Sequence, residues 1–97
     1  MEPLTTSTPD SGTSITVRYW AAARAATGRH DDDFPAIEPL TLAELRSLVV
    51  ARHPDADAVL GLCSVLVNDR PVNGDAALEH QVRAGDSVEF LPPFAGG

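Results

Sequence analysis

One stretch of this chain has the pattern of a long helix, and strand patterns precede and follow it. In residues 41–54, TLAELRSLVVARHP, four apolar side chains recur at helical spacing and predict one buried face: Leu42, Leu45, Leu48 and Val49. Thr41 and Glu44 have the spacing of a capping box, and Pro54 predicts the end of the helix. In a chain of 97 residues this arrangement favours an α+β fold with a sheet packed against the helix.

The strand patterns lie on both sides of this helix. In ITVRYW, residues 15–20, every second side chain is apolar, and the segment AAARAATG that follows predicts a short helix ending at Gly28. After the long helix, SVLVND and SVEFL predict further strands, with a short return strand at PV and a helical turn in AALEHQV between them. The last strand is long and apolar, so we expect it at the centre of the sheet.

The segment RHDDDFPAIEPL predicts a loop, with at most a short edge strand near residues 34–37. Three adjacent carboxylates could bind a metal ion, but in a proline-flanked loop this pattern favours solvated side chains. His53 stands at the predicted helix end, and we expect its side chain to be exposed.

Composition narrows the class of protein. The net charge of −7 argues against nucleic acid as a partner and suits a complementary basic protein surface. No signal peptide and no membrane-spanning run is recognisable, so we expect a cytoplasmic protein that contacts no membrane. The single cysteine, Cys63, lies in an apolar run and is expected to be a small buried side chain. We predict a disordered extension at residues 1–14, a domain at 15–92 and a flexible Gly-Gly tail at 93–97.

The final residues, EFLPPFAGG, raise a chemical possibility. An ionised terminal carboxylate can attack the α-phosphate of ATP, and a sulfur nucleophile can then displace AMP from the acyl adenylate. Glycines lack Cβ and pass through a narrow channel, and the two prolines hold the approach extended. The chain carries no phosphate-binding loop, no cysteine pair and no Ser/His/Asp set for this chemistry. We therefore interpret the chain as a substrate and carrier that depends on a partner protein to bind ATP.

Four blocks resemble the signature blocks of ubiquitin-like sulfur carriers: ITVRYWAAARAATG, TLAELRSLV, VLVNDRPV and GDSVEFLPPFAGG. They best match the family of small subunits of molybdopterin synthase, over residues 15–97. The resemblance implies a β-grasp fold, with a mixed sheet of four to five strands and one long helix on one face. It also implies a cycle in which an E1-like enzyme uses ATP to adenylate the C-terminal glycine, which becomes a thiocarboxylate. The sulfur then passes to cyclic pyranopterin monophosphate in the large synthase subunit.

The resemblance also implies the site residues. Gly97 carries the acyl group and Gly96 precedes it in the tail. Residues that match partner-facing positions are Phe94, Leu91, Pro71 and Arg24. The implied partners are an E1-like enzyme and the large subunit, the latter in a heterotetramer. The chain itself would bind no cofactor or metal, and would act in catalysis only as the small subunit of the synthase.

The sequence is also compatible with other interpretations. A carrier for cysteine or thiamine biosynthesis has the same fold and ending. A ubiquitin-like protein modifier is a further alternative, although the chain has no lysine and could not form chains through its own side chains. A plain binding domain with an incidental Gly-Gly ending is the last.

Overall fold

A computed structural model describes residues 13–72 and 77–92 of the chain. The predicted N-terminal extension, the NGD turn and the Gly-Gly tail lie largely or wholly outside these residues, so they stay predictions. The strands are β1 (Ser14–Tyr19), β2 (Asp31–Pro35), β3 (Leu40–Thr41), β4 (Ser64–Val67), β5 (Arg70–Val72), β6 (Gln81–Val82) and β7 (Ser87–Leu91). The α-helices are α1 (Ala22–Thr27), α2 (Leu42–Arg52) and α3 (Asp57–Leu62), and short 3-10 turns occupy Pro54–Ala56 and Ala77–Glu79.

Five strands form one mixed sheet in the order β2-β1-β7-β4-β5, and β3 pairs with β6 in a small second sheet. Strand β7 lies at the centre, parallel to β1 and antiparallel to β4, which confirms the expectation for the last strand. It is therefore hydrogen-bonded on both edges, and it ends at Leu91, five residues before the predicted Gly-Gly of the tail.

The core lies between one face of the large sheet and α2. Alternation in β1 buries Ile15, Val17 and Tyr19, as predicted, and the buried side chains of β7 lie beside them. Leu42, Leu45 and Val49 of α2 belong to the same cluster. The prediction was wrong for Leu48, which is 42% exposed because its position falls just outside the sector that contacts the sheet.

The start of α2 follows the predicted capping box. The hydroxyl of Thr41 accepts a hydrogen bond from the Glu44 backbone N–H at 3.1 Å, and the Glu44 carboxylate accepts one from the Thr41 N–H at 2.8 Å. The helix ends at Arg52, ahead of Pro54, as expected. The short helix α3 was not predicted from the sequence.

Two turns place ordinary residues in the left-handed region of φ. Asn68 and Asp69, at φ 51° and 69°, connect β4 to β5 in a tight hairpin turn of the kind that favours Asn. The Asn68 side chain joins this turn to β7, because its Oδ1 accepts from the Ser87 N–H at 2.9 Å. Ala21, at φ 50° and ψ −119°, lies in the tight turn from β1 into α1 and has a conformation that glycine adopts more easily.

The aspartate run does not form the loop that the sequence predicted. Residues Asp31–Pro35 form the edge strand β2, antiparallel to β1, while Ile37 is fully exposed beyond it. Asp31 and Asp33 are exposed, but the expectation of a solvated side chain was wrong for Asp32, which is only 6% exposed. Alternation explains the difference, because Asp32 pairs with Val17 and shares its inward orientation.

Buried Asp32 is satisfied by four side chains. Its Oδ2 accepts a hydrogen bond from the Tyr19 hydroxyl at 2.9 Å and contacts His53 Nε2 at 2.7 Å. Its Oδ1 lies 2.8 Å from Arg29 Nε and 3.6 Å from an Arg52 nitrogen. The expectation of an exposed His53 was therefore wrong, since this side chain is 12% exposed and links α2 to β2.

A candidate protein-docking face

The face of the large sheet that points away from α2 carries the candidate site. Its residues alternate with the core residues, and cross-strand pairing sets them in a row. Arg18 of β1 is opposite Glu89 of β7, Glu89 is opposite Leu66 of β4, and Leu66 is opposite Pro71 of β5. Leu91, two residues after Glu89, extends the face toward the end of β7. We call these five residues the docking face.

Two of the predicted partner-facing residues lie on this face. Pro71 is exposed and Leu91 is half-buried, so both are accessible to a partner. Half-buried Leu66 lies directly opposite Pro71, and Leu91 lies on the same face two residues beyond Glu89, so the three form the apolar part of the face. Sequence reasoning missed Leu66, although its place between two inward-facing valines in SVLV was a signal that it faces outward.

Arg24, the predicted polar flank, is positioned by the first turn of α1. Its Nε donates to the Tyr19 carbonyl at 3.3 Å, and its guanidinium carbon lies 5.4 Å from the centre of the Trp20 ring. Trp20 is 39% exposed and follows directly after the last residue of β1. Arg24 therefore stacks on an exposed aromatic ring at the end of the sheet.

The same end of the sheet is where the tail begins. The backbone N–H of Trp20 donates to the Phe90 carbonyl at 3.2 Å, which places Trp20 beside the end of strand β7. Leu91 ends β7 and Pro92 follows it as a buried residue. The predicted tail residues Phe94, Gly96 and Gly97 lie beyond the described part of the chain, so their roles stay predictions.

Catalytic groups are not assembled in the described residues. The Cys63 thiol donates to the Val59 carbonyl at 3.2 Å, and burial raises its pKa to about 11 despite the nearby charge of Arg46, so it is a protonated, unreactive thiol. Cys63 is half-buried, close to its expected setting. Within residues 13–72 and 77–92 no cluster of His, Cys, Asp or Glu could hold a metal ion. In the same residues no helix has the length and apolar character that a bilayer crossing requires.

Solved structures share this architecture. Small archaeal modifier protein 1 from Haloferax volcanii matches with a TM-score of 0.72 and 20% identity, over 86% of this chain and 100% of that one. The complex of subunits 1 and 2 of molybdopterin-converting factor from Helicobacter pylori contains a chain that matches with a TM-score of 0.62 and 24% identity, over 87% and 99%. The BexX/CysO complex of Amycolatopsis orientalis matches with a TM-score of 0.67 and 31% identity, over 86% and 99%.

These likenesses define the class: the chain is a ubiquitin-like β-grasp domain, with the mixed sheet that the resemblance implied. The long helix is α2; of the two shorter helices, α1 was predicted from the segment AAARAATG, with its end at Gly28, and α3 was not.

The family is equally clear. A model of the ThiS family matches residues 17–97. A molybdopterin synthase sulfur carrier subunit from Aspergillus niger is 30% identical, over 90% of this chain and 98% of that protein. A protein of the same name from Emericella nidulans is 32% identical, over 84% and 94%. The chain therefore belongs to the ThiS family of ubiquitin-like sulfur carriers, which confirms the resemblance drawn from the four sequence blocks.

Proposed function

We propose that this chain is the sulfur carrier subunit of a molybdopterin synthase. The observation that carries the proposal is the near full-length similarity to proteins of that name, at 30% and 32% identity. The Gly-Gly ending of the sequence supports it, and so does a docking face that extends to Leu91, the last residue of β7.

The chemistry proposed takes place at the carboxylate of Gly97. A carboxylate oxygen attacks the α-phosphorus of ATP on an E1-like partner, and pyrophosphate leaves. Hydrosulfide from the sulfur source then attacks the acyl carbon and displaces AMP, and loss of the S–H proton yields the thiocarboxylate. The thiocarboxylate sulfur is transferred to cyclic pyranopterin monophosphate in the large subunit, and water restores the carboxylate.

The division of labour fits the described structure. The core is closed and apolar, and the polar cluster around Asp32 lies on the α2 side of the sheet, away from the docking face. In this proposal the partners supply ATP binding, the sulfur source and the substrate pocket, while the chain supplies a rigid platform. Leu91, Pro71 and Arg24 contact the partner, and Phe94 contributes from the tail.

Intact-mass measurement tests this function. The full chain is incubated with ATP, the E1-like enzyme and a sulfide source, and we expect a gain equal to replacement of one oxygen by sulfur. A chain lacking Gly97 is the matched control: its carboxylate is displaced by one residue, about 3.3–3.6 Å of extended chain, and should not be modified. Absence of any mass change in the intact chain would contradict the carrier role.

The choice of pathway has its own test. The thiocarboxylate form is offered to a molybdopterin synthase large subunit with its pterin substrate, and in parallel to cysteine- and thiazole-forming enzymes. We expect sulfur transfer only in the first case. Transfer only to one of the others would retain the carrier chemistry but replace the pathway.

A further inference from the structure

Glu89 is a buried carboxylate in the middle of the docking face. It is only 9% exposed, although it points away from the core, because half-buried Leu66 lies opposite it and the Trp20 indole contacts its carboxylate. Its Oε1 accepts a hydrogen bond from Trp20 Nε1 at 2.9 Å. Within the part of the chain that the structure describes, this is the one hydrogen bond made by the Glu89 side chain.

A cation lies close to Glu89 without neutralising it. Arg18 is directly opposite Glu89 on β1 and directly opposite Asp31 on the other side. Among the described residues no ion pair within 4.0 Å joins Arg18 to either carboxylate, and the Arg18 side chain is exposed to solvent. In residues 13–72 and 77–92, one oxygen of this nearly buried carboxylate is thus left without a protein donor.

A buried carboxylate with a single hydrogen bond is unfavourable. A positively charged donor from a partner protein, bound to the second oxygen of Glu89, would therefore stabilise it. The Glu89 carboxylate is preorganised to accept such a donor. Strand β7 is paired on both edges, and the indole of Trp20 fixes the orientation of the side chain. Guanidinium groups suit such a position better than ammonium groups, because they are planar, weakly hydrated and well adapted to interface ion pairs.

We propose that Glu89 is the polar anchor of the docking face and receives an arginine side chain of the large synthase subunit. This inference rests on the proposed function and adds the chemistry that the partner must present. Docking covers the apolar patch of Leu66, Pro71 and Leu91 and removes the remaining water around Glu89. A partner without a cation at this position would leave the carboxylate buried and unpaired, so Glu89 also discriminates among partners.

The test uses Glu89→Gln in the full chain. The amide oxygen of glutamine can still accept the Trp20 hydrogen bond, while the charge is removed. We measure association and dissociation rates with the large subunit from the same organism. The expected result is a dissociation constant raised about 10- to 100-fold, mostly through faster dissociation, because a buried charged hydrogen bond is lost.

Asp31→Asn is the matched control. Asp31 stands in the same cross-strand row, two strands or about 9–10 Å from Glu89, and is exposed. Asp31→Asn removes one negative charge, as Glu89→Gln does, so a long-range electrostatic effect would appear in both variants. We expect the dissociation rate of Asp31→Asn to change little. Equal dissociation rates for the two variants, or an unchanged Glu89→Gln, would overturn the proposal.

A second readout separates docking from a structural role. If Glu89 serves the partner, the free Glu89→Gln chain should unfold at the same temperature as the wild type or higher, since a desolvated charge is removed. A lowered midpoint together with unchanged binding would identify Glu89 as a structural residue. If the wild-type chain gains sulfur in the mass assay but Glu89→Gln binds as well, only this inference fails. If the wild type gains none, the proposed function fails.

Discussion

Replacement of Asp32 by asparagine should destabilise the domain by breaking the polar cluster between β2 and α2. The amide presents one acceptor and one donor where the carboxylate presents two acceptors. Asparagine can therefore serve either the Tyr19 and His53 side or the Arg29 and Arg52 side, but not both. We expect its oxygen to stay with Tyr19, because that hydroxyl belongs to a fully buried side chain.

The magnitude follows from the exposure of the partners. Hydrogen bonds to a charged group contribute about 1.5–3 kcal/mol each when buried, and Asp32 makes two of this kind, to Tyr19 and His53, which are weakened when the charge is lost. Arg29 and Arg52 are 57% and 43% exposed, so solvent limits their part to about 1 kcal/mol or less. The expected loss is roughly 2–4 kcal/mol. For a domain of this size, at about 4–8 °C per kcal/mol, the midpoint should fall by roughly 8–32 °C.

Thermal and urea unfolding, followed by circular dichroism, measure this loss. Asp31→Asn is again the control, since it changes an exposed side chain one residue earlier in the same strand and should stay within about 0.5 kcal/mol of the wild type. Similar small losses in both variants would refute the idea that the cluster stabilises the fold.

The dependence on pH provides an independent check. Burial by itself raises the pKa of the Asp32 carboxyl, but the hydrogen bonds from His53 and Tyr19 and the charges of His53 and Arg29 outweigh it and hold the pKa below its ordinary value of 3.8. A lowered pKa means that the stabilisation is present above that ordinary value and is lost as pH falls through the lower value in the folded protein. The gap between wild type and Asp32→Asn should therefore be complete near neutral pH and narrow below roughly pH 4. A gap that is constant down to strong acid would show that charge is not its cause.

Two further substitutions test the packing and the turns. Leu45→Ala truncates a fully buried side chain of α2 and should lower the free energy of unfolding in urea by about 2–5 kcal/mol. Leu48→Ala, at a 42% exposed position, should lower it by less than about 1 kcal/mol. Similar losses in the two variants would show that the buried face of α2 is assigned wrongly. Ala21→Gly should raise stability by about 1 kcal/mol, because Ala21 is exposed and held at φ 50°, and a lowered thermal midpoint would show that this conformation is not strained.

Local patterns made much of the fold predictable. The capping box at Thr41 and Glu44 and the alternation from Ile15 to Tyr19 depend on neighbours a few residues apart, and both appear in the structure as expected. The Asp32 cluster was not predictable in this way. Its partner His53 lies 21 residues further along the chain, and alternation places Asp32 on the inward face only once residues 31–35 are known to form a strand.

The candidate site also has features that the sequence could predict and features that it could not. The outward orientation of Leu66 and Glu89 follows from strand periodicity, but the burial of Glu89 depends on Trp20, which is 69 residues away in sequence. The partner-facing positions Leu91, Pro71 and Arg24 came from resemblance to a family, and the structure adds where they lie. Periodicity alone could not have related them, because they belong to three different elements of the fold.

The parallel pairing of β1 and β7 has a mechanical consequence. The two strands are neighbours, and their paired positions run from Thr16 and Ser87 to Tyr19 and Phe90 in the same direction. Tension applied between the start of β1 and the end of β7 therefore acts along both strands, and their hydrogen bonds must yield together in shear instead of opening one after another. The described domain should therefore resist being pulled apart between these two ends more strongly than along an axis that opens the hydrogen bonds one at a time.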